Sequence, residues 1–323
     1  MSQTPLIIAA ETPDARRPTL AALIETTKPG ITRLVTITAL VGFALSALMR
    51  GDWDIPTLVV AAVGTLVGTA MTAGGANALN QWFEVPRDAC MDRTRGRPIP
   101  GGRLPSTTVV WFGTCIAVLG LIVLSIMAGV VPAIVSLACI VSYVFVYTPL
   151  KPHTAWSTLV GAIPGALPPL IGWTAAAKPF GVDALTEPGG LTLAAIMLVW
   201  QLPHFMAIAW IYREDYAKGG LRMLPVLDPS GVRTAGVMLG TGVLLVACTL
   251  APVWAMAGRV GFVYGAFAGL SGLVFLGLCV RFTLERTPGA ARAVFIASVI
   301  HLPVLLMVMV GEAAVRVGLS FML

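Results

Sequence analysis

Charged residues are scarce in this 323-residue sequence. Lys, Arg, Asp and Glu make up 11% of it, against roughly 25% in an ordinary soluble domain. Hydrophobic residues make up 57%, and the mean hydropathy is +0.88. This composition argues against a soluble enzyme and against a disordered chain. The sequence therefore predicts a polytopic membrane protein.

Cysteine is also sparse, with five residues in the whole sequence. Four of them lie inside apolar runs, where a free thiol behaves as a small hydrophobic group. Cys90 lies in a charged stretch without a CxxC or Cys/His pattern. These positions exclude a disulfide framework and a zinc motif. The first 17 residues lack a basic start followed by an apolar core, so we expect no cleavable signal peptide.

The sequence has a net charge of +6 and a pI near 9.3. A nucleic-acid partner would require the basic residues to form a surface patch. Their placement in the loops between apolar stretches is explained better by membrane topology. We therefore expect the lipid bilayer as a partner and no nucleic acid.

Uncharged stretches predict nine membrane-spanning helices, since one crossing needs about 20 apolar residues. The stretch 104–150 is long enough for two helices, with a turn expected at Gly129 and Pro132. The other stretches are 34–49, 55–83, 152–177, 188–212, 234–258, 260–280 and 293–311. The predicted fold is all-α: a bundle of nine transmembrane helices around a central cavity. Residues 1–25 are expected to be an N-terminal cytoplasmic tail, and residues 26–323 a single transmembrane domain.

The distribution of basic residues predicts which side each loop occupies. If the N-terminus is cytoplasmic, 17 of the 21 lysines and arginines lie in cytoplasmic segments. The remaining four, Arg50, Lys178, Arg259 and Arg316, lie outside. The positive-inside rule favours this orientation. We expect a multi-pass protein of the inner (plasma) membrane whose active-site loops are cytoplasmic.

Polar side chains recur at every fourth position where the second predicted helix ends. They are Asn80, Glu84, Asp88 and Asp92, and we call them the ladder. On a helix this spacing aligns side chains along one face. Pro86 is expected to interrupt the helix, so that Glu84 closes one segment and Asp88 and Asp92 share the next. Like charges at this spacing repel unless a cation lies between them, and Mg²⁺ is bound by such carboxylates together with substrate phosphates.

Three arginines follow the ladder directly: Arg93, Arg95 and Arg97. Guanidinium groups bind phosphate oxygens through paired hydrogen bonds. Carboxylates for a metal beside guanidinium groups for an anion predict a diphosphate site. The alternative is a solvated loop whose acidic and basic side chains pair with each other.

The loop after the sixth predicted helix carries a second set of acidic and basic residues. Four crossings separate it from the first loop, so both loops are expected at the same membrane face. Asp215 is a candidate for a second metal ligand. Tyr212, Lys218 and Arg222 are available to the phosphate groups.

Together with three other segments, these loops resemble the UbiA-type intramembrane prenyltransferases. The resemblance covers residues 27 to 226 in the right order. It is carried by Asp92-Arg-Thr-Arg-Gly-Arg-Pro98, Thr27-Lys-Pro29, Tyr147–Lys151 through Pro168–Trp173, and Trp200-Gln-Leu-Pro-His-Phe205 continuing to Tyr212–Tyr216 and Met223–Pro225. The sequence departs from the family pattern at Glu84, where Asp is usual, at Arg222, where Pro is frequent, and at Pro152, where a second basic residue is common. Gly219, four residues after Asp215, replaces a second aspartate and favours the branch of the family that acts on heme.

The resemblance implies a Mg²⁺-dependent enzyme that transfers a farnesyl group from farnesyl diphosphate to a vinyl group of protoheme IX. Water completes the addition, and the products are heme O and diphosphate; heme is then a substrate and not a prosthetic group. A downstream heme-modifying enzyme is a possible partner. The implied metal ligands and catalytic residues are Asp88, Asp92 and Asp215, with Glu84 as a further ligand. The implied substrate contacts are Asn80, Glu84, Arg93, Arg97, Lys151, Tyr212, Lys218 and Arg222, and for heme His153 and His204.

Three other functions remain open at this point. A prenyltransferase of the same family can act on an aromatic quinone precursor. A transporter would place polar or ionisable groups near the bilayer midplane, whereas the acidic residues here cluster at one face. A heme-handling protein without catalysis would not need the ladder.

Overall fold

Nine long apolar helices form the part of the protein described by the computed structural model, which covers residues 19–51, 54–177, 182–320 and 322. In order they are α1 (Pro29–Arg50), α2 (Ile55–Asp88), α3 (Ser106–Met127), α4 (Val130–Leu150), α5 (Ser157–Ala176), α6 (Pro188–Ile211), α7 (Val232–Ala255), α8 (Phe262–Glu285) and α9 (Pro288–Ser320). Their length and composition suit membrane crossing. The predicted all-α class and the predicted nine spans are confirmed. Most of the expected tail 1–25, and Lys178, lie outside the described residues.

Proline and glycine set several helix boundaries. Pro29 and Pro188 open α1 and α6, at positions where the missing N–H has no helical partner to lose. Gly129, with φ of 114°, separates α3 from α4 and confirms the predicted turn. Pro132 lies in the first turn of α4 and not in the turn itself.

The helices pack into two groups that contact each other. In the first, α1 crosses α5 at very short range, and α2 packs against α1 and α3. A Cβ added to Gly172 would lie 1.7 Å from the Ala39 carbonyl oxygen, and one added to Gly42 would lie 2.0 Å from that of Pro169. Small residues allow this approach of two backbones. In the second group, α6 to α9 enclose a buried aromatic core, and α9 also contacts α1.

A partly buried ion pair joins helices at the end of the bundle opposite the ladder. Arg50 donates to both carboxylate oxygens of Glu187, at 2.6 and 2.9 Å. The indole of Trp173 donates to the same carboxylate at 2.7 Å, and Ser46 donates to the Trp173 carbonyl at 2.8 Å. These contacts join the ends of α1 and α5 to the start of α6.

Helix α2 continues through Pro86 and ends at Asp88, so the prediction that Pro86 interrupts it is wrong. Proline removes one backbone hydrogen bond, but its own φ is helical. Because Pro86 lies close to the end of the helix, the loss of this one hydrogen bond leaves the last turn in place. Asp92 lies in the turn that follows and does not share a helical segment with Asp88.

An open groove of about 560 Å³ lies between the start of α2, the α3–α4 turn and the end of α5. Its lining is mostly apolar and includes Pro56, Ile126 and Ala176. This groove is at the end of the bundle opposite the ladder. It is therefore not the central cavity that the sequence predicts, which stays a prediction.

Candidate active site

The two polar loops meet at one end of the bundle. One carboxylate oxygen of Asp215 accepts the backbone N–H of Asp92 at 2.7 Å, and the other accepts that of Arg93 at 3.3 Å. Lys218 Nζ lies 2.5 Å from Asp92 Oδ2. Residues more than 120 positions apart are thus in direct contact, as the even number of crossings between the loops requires.

Asn80, the innermost member of the ladder, is fully buried and bridges three elements. Its side-chain oxygen accepts a hydrogen bond from Lys28 Nζ at 2.5 Å. Its side-chain nitrogen donates to Thr148 Oγ1 at 2.9 Å, and that hydroxyl donates to the Tyr143 carbonyl at 2.8 Å. Asn80 therefore ties α2 to the segment before α1 and to α4.

Glu84, one turn further along α2, forms a buried ion pair with Lys151, which directly follows α4. Glu84 Oε1 and Lys151 Nζ are 2.7 Å apart, and both side chains are nearly inaccessible to solvent. The same ammonium lies 4.4 Å from the ring centre of Tyr147, within range of a cation–π contact. Although burial disfavours the charged form, the Glu84 carboxylate raises the pKa of Lys151. Lys151 is therefore positively charged at neutral pH.

Asp88 is buried at the end of α2 and pairs with an arginine of the loop that follows. Its Oδ2 lies 2.5 Å from a terminal nitrogen of Arg97. Thr94 Oγ1 donates to the Asp88 backbone carbonyl at 2.9 Å. These two bonds fold the chain after α2 back onto the helix end.

Asp92 is exposed and is held by Lys218 of the second loop and, more loosely, by Arg95 at 3.7 Å. The hydrogen bond from Lys218 lowers the pKa of the Asp92 carboxyl. The carboxylate is therefore ionised throughout the physiological pH range and is available as an oxygen ligand.

Arg93 is oriented by two tyrosines of the second loop. Its guanidinium donates to the Tyr216 hydroxyl at 3.2 Å and lies about 5 Å from the ring centres of Tyr212 and Tyr216. Tyr212 was a candidate from the sequence, but Tyr216 was not assigned a role. The tyrosines place a basic group beside Asp92.

The side chains of the other candidates are not bonded to the ladder in the described part of the chain. Arg222 and His153 have exposed side chains. The Arg222 backbone N–H donates to the Lys151 carbonyl at 3.0 Å, so the second loop is fixed to the residue that pairs with Glu84. His204 is in α6, where its Nδ1 lies 2.7 Å from Ser298 Oγ and its ring stacks on Trp200. Its described contacts are with α9 and aromatic neighbours and not with the ladder.

Lys28 is a site residue that sequence reasoning did not assign. It precedes α1, 52 positions away from Asn80, and adopts a left-handed backbone with φ of 49°. A non-glycine residue in this region is uncommon and is often found at functional sites. Burial, together with the positive charges of Arg97 and Lys151, lowers the pKa of Lys28 to about 7. The only signal for Lys28 in the sequence is its place in the Thr27-Lys-Pro29 motif of the family.

Helix α4 contains a π-helical segment, Ser142–Tyr147. This segment sets the orientation of the residues that follow it in α4 and contact the site. The Thr148 backbone N–H bonds to the Tyr143 carbonyl, five residues back. Pro149 has no N–H to offer, which favours this wider turn. Single π-turns occur often at functional sites. The shift places Thr148 against Asn80 and Lys151 against Glu84.

The donor set of the ladder suits Mg²⁺ when substrate phosphates complete the coordination. In the described ranges, no three His, Cys, Asp or Glu side chains are close enough to hold a metal by themselves. Mg²⁺ does not need three, since one or two carboxylates with water and phosphate oxygens are a usual set. Glu84, Asp88 and Asp92 supply such oxygens. Each of these three carboxylates is also paired with a basic side chain of the protein.

Comparison with known proteins identifies the family. The profile of the UbiA prenyltransferase family matches residues 35–302. The chain belongs to the UbiA prenyltransferase family. The resemblance inferred from the sequence motifs is therefore confirmed.

Relatives within the family are similar over most of the chain. A protein of Solibacter usitatus named protoheme IX farnesyltransferase is 41% identical over 292 residues, covering 87% of this chain and 95% of the relative. A protein of Myxococcus xanthus with the same name is 42% identical over 287 residues, covering 88% and 92%.

Solved UbiA structures share the fold at low sequence identity. A digeranylgeranylglyceryl phosphate synthase structure has a TM-score of 0.72 at 16% identity and covers 91% of this chain and 98% of its own. A UbiA homologue from Archaeoglobus fulgidus bound to DMAPP and Mg²⁺ has a TM-score of 0.61 at 12% identity, covering 91% and 99%. The nine-helix arrangement is that of the UbiA fold.

Proposed function

We propose that this UbiA protein transfers a farnesyl group from farnesyl diphosphate to a vinyl group of protoheme IX, with addition of water, to give heme O and diphosphate. The observation that carries the proposal is the set of relatives named protoheme IX farnesyltransferase, which are 36–42% identical over 74–90% of the chain. The paired carboxylates and basic groups of the two loops supply the chemistry that such a transfer requires.

The basic residues of the loops bind and orient the diphosphate. Arg97, Lys151 and Lys218 pair with ladder carboxylates, and Arg93 is held by Tyr216 of the second loop. Tyr212 and Arg222 are the further proposed contacts. Fixed positive groups stabilise the charge that develops on the leaving diphosphate as its bond to the farnesyl carbon breaks. They do so most effectively where water is excluded.

The ladder carboxylates would hold the metal. Asp88 and Asp92 are the proposed principal ligands, with Glu84 and Asp215 beside them and Asn80 in support. Bound Mg²⁺ supplies Lewis-acid neutralisation of the diphosphate, and the Mg²⁺-bound A. fulgidus homologue supports this requirement. Asp88 and Glu84 are buried, which strengthens their interaction with any cation that reaches them.

The acceptor is proposed to enter from the same end. Attack of the heme vinyl group on the allylic farnesyl cation forms the new carbon–carbon bond, and water adds to the resulting heme cation with loss of a proton. The apolar faces of the spans accommodate the farnesyl tail, and His153 and His204 are the proposed heme contacts. A downstream heme-modifying enzyme is the proposed consumer of the product.

The loop end of the bundle is proposed to face the cytoplasm from the inner (plasma) membrane. The excess of Lys and Arg in the segments at this end supports the orientation through the positive-inside rule. Both substrates would then be bound from the cytoplasmic side. Cysteine accessibility at Cys90, which is exposed in the first loop, tests the orientation with a membrane-impermeant thiol reagent.

A comparison of acceptors tests the function. Membranes containing the protein are supplied with farnesyl diphosphate, Mg²⁺ and either protoheme IX or 4-hydroxybenzoate, and the products are analysed by mass spectrometry. We expect protoheme IX to gain the mass of farnesol and 4-hydroxybenzoate to remain unchanged. Prenylation of 4-hydroxybenzoate alone would place the protein in the quinone branch of the family. Absence of prenylation of either acceptor would contradict the proposal.

Asp88→Asn tests the metal assignment in the same assay. We expect it to abolish farnesylation of heme. Asp183→Asn is a matched control, because Asp183 is exposed at the opposite end of the bundle and should leave conversion unchanged. Normal conversion by Asp88→Asn would show that Asp88 is not a required ligand.

A further inference from the structure

Each of the four ladder residues is engaged at close range by a basic side chain of the protein, and Asp92 is also approached by Arg95 at 3.7 Å. The four pairs are Asn80 with Lys28, Glu84 with Lys151, Asp88 with Arg97, and Asp92 with Lys218, each at 2.5–2.7 Å. The cations come from different places: the segment before α1, the end of α4, the first loop and the second loop. Three carboxylates and one amide oxygen are therefore each in contact with a basic side chain.

This arrangement makes the metal and the protein's cations competitors for the same oxygens. A metal ion that ligates Asp88 through the oxygen bound to Arg97 must displace the guanidinium. A cation displaced from a buried carboxylate is left with an uncompensated charge, which is costly in a low-dielectric site. A metal ion alone therefore has to overcome both the loss of an ion pair and the repulsion of the neighbouring cations.

A diphosphate removes this obstacle because it supplies new partners for the displaced cations. Its oxygens accept hydrogen bonds from Lys and Arg, while its charge also attracts the metal. The carboxylates then pair with the metal and the cations with the diphosphate, so that every charge keeps a partner. The exchange involves no covalent step.

We propose that the four ladder cations, including Lys28, make the binding of metal and of diphosphate mutually dependent. The proposal deepens the proposed function, on which it rests, by assigning these side chains a second task besides holding the diphosphate. It also makes Lys28 a positioning residue of the site: its ammonium holds the Asn80 amide until the diphosphate takes it over.

Removal of one ladder cation should change the two affinities in opposite directions. Lys218→Met removes the closer of the two ion-pair partners of Asp92 and should raise the affinity for metal alone about 10-fold, while lowering the affinity for diphosphate by a similar factor. Lys28→Met should act the same way with a smaller effect on the metal, since Asn80 carries no charge. A role in folding alone would weaken the binding of both ligands.

The experiment uses the purified full-length chain in lipid nanodiscs. Mn²⁺ serves as the metal probe, because the EPR signal of free Mn²⁺ reports binding, and labelled inorganic pyrophosphate is the anion probe. Each is titrated alone, so that their association in solution does not contribute. Arg281→Met is the matched control: Arg281 pairs with Glu285 of its own helix, α8, and not with a ladder residue, so it should leave both affinities unchanged.

Opposite shifts in Lys218→Met and Lys28→Met, with Arg281→Met unchanged, would support the proposal. Parallel loss of both ligands, or unaltered Mn²⁺ affinity, would overturn it. Lys218 is exposed and Lys28 is partly exposed, so we expect both variants to fold. The titrations contain neither heme nor a farnesyl group, so their failure is separate from a failure of the proposed reaction.

Discussion

Asp215 binds the backbone of the opposing loop at Asp92: its carboxylate accepts the Asp92 N–H at 2.7 Å and the adjacent Arg93 N–H at 3.3 Å. A carboxylate that accepts two consecutive backbone N–H groups fixes the conformation of that loop. Asp215 therefore positions Asp92 and Arg93, whatever it contributes to the metal.

Two substitutions distinguish these contributions at Asp215. Asp215→Asn keeps an oxygen that can accept one of the two N–H bonds, whereas Asp215→Ala keeps none. We expect a loss of heme farnesylation of about 10-fold for Asn and about 100-fold for Ala, since residues that orient ligands have effects of this size. Initial rates at saturating Mg²⁺ are the measurement. Equal and complete loss in both variants would mean that direct ligation of the metal dominates.

The Glu84–Lys151 pair predicts a difference between stability and activity. Glu84→Gln leaves a buried ammonium unpaired and should lower the free energy of unfolding by about 3–5 kcal/mol. Glu84→Gln combined with Lys151→Met removes both charges and should recover most of this loss, because an apolar replacement of a buried pair is often neutral. Activity should remain low in the double variant, since both groups belong to the site. Thermal unfolding in detergent and product formation measure the two effects. Failure of the double variant to regain stability would contradict the argument.

Much of this arrangement follows from the sequence. The charge-free stretches predict the spans because charged side chains are expensive in hydrocarbon, and the spacing of Asn80 to Asp92 predicts a shared face. The partners of the ladder are not predictable in this way. Lys28 and Lys151 reach it from 52 and 67 residues away, and no local pattern encodes such pairings.

The interruption expected at Pro86 failed for a local reason. The hydrogen bond that Pro86 cannot make would join it to the preceding turn, and α2 ends two residues later, so the helix loses this one bond and is not interrupted. The π-helical turn before Pro149 could not be predicted from the sequence either. It depends on which carbonyl oxygen accepts the hydrogen bond of each neighbouring N–H group.

The α1–α5 crossing predicts a steric effect at Gly172. Gly172→Ala would place a methyl group 1.7 Å from the Ala39 carbonyl oxygen, so the helices must separate, at a cost of about 1–3 kcal/mol. Gly236→Ala in α7 is the control, because nothing lies within 4 Å of an added Cβ there. It should be neutral or stabilising by up to about 1 kcal/mol. Unfolding temperatures of both variants test this, and an unchanged Gly172→Ala protein would refute the close packing.

Asp228 predicts a pH dependence of stability. It caps α7: its Oδ2 accepts from the Thr234 backbone N–H at 2.8 Å and from the Thr234 hydroxyl at 3.0 Å. Burial opposes ionisation, but these hydrogen bonds and that of Ser230 outweigh it and lower the pKa of Asp228 below its ordinary value of 3.8. Such a group stabilises the fold above its unfolded pKa, and the contribution is lost as pH falls through the lower, folded value.

We therefore expect Asp228→Ala to cost about 1 kcal/mol at neutral pH, as the loss of a helix cap does. The difference from wild type should shrink as the pH is lowered below about 4, where the wild-type carboxylate also becomes protonated. Unfolding temperatures measured across this range give the result. A difference that stays constant with pH would show that the charge of Asp228 is not involved.

The hydrogen bond from the Arg222 N–H to the Lys151 carbonyl has a consequence for exchanging parts between relatives. Lys151 reaches Glu84 from one side while its backbone supports the second loop from the other. A second loop transplanted from a quinone-type relative would therefore lack the matching contact with the end of α4. It would disturb the Glu84 carboxylate, with which the loop itself makes no contact. The transferable unit in this protein is the second loop together with the end of α4, and chimeras should be cut accordingly.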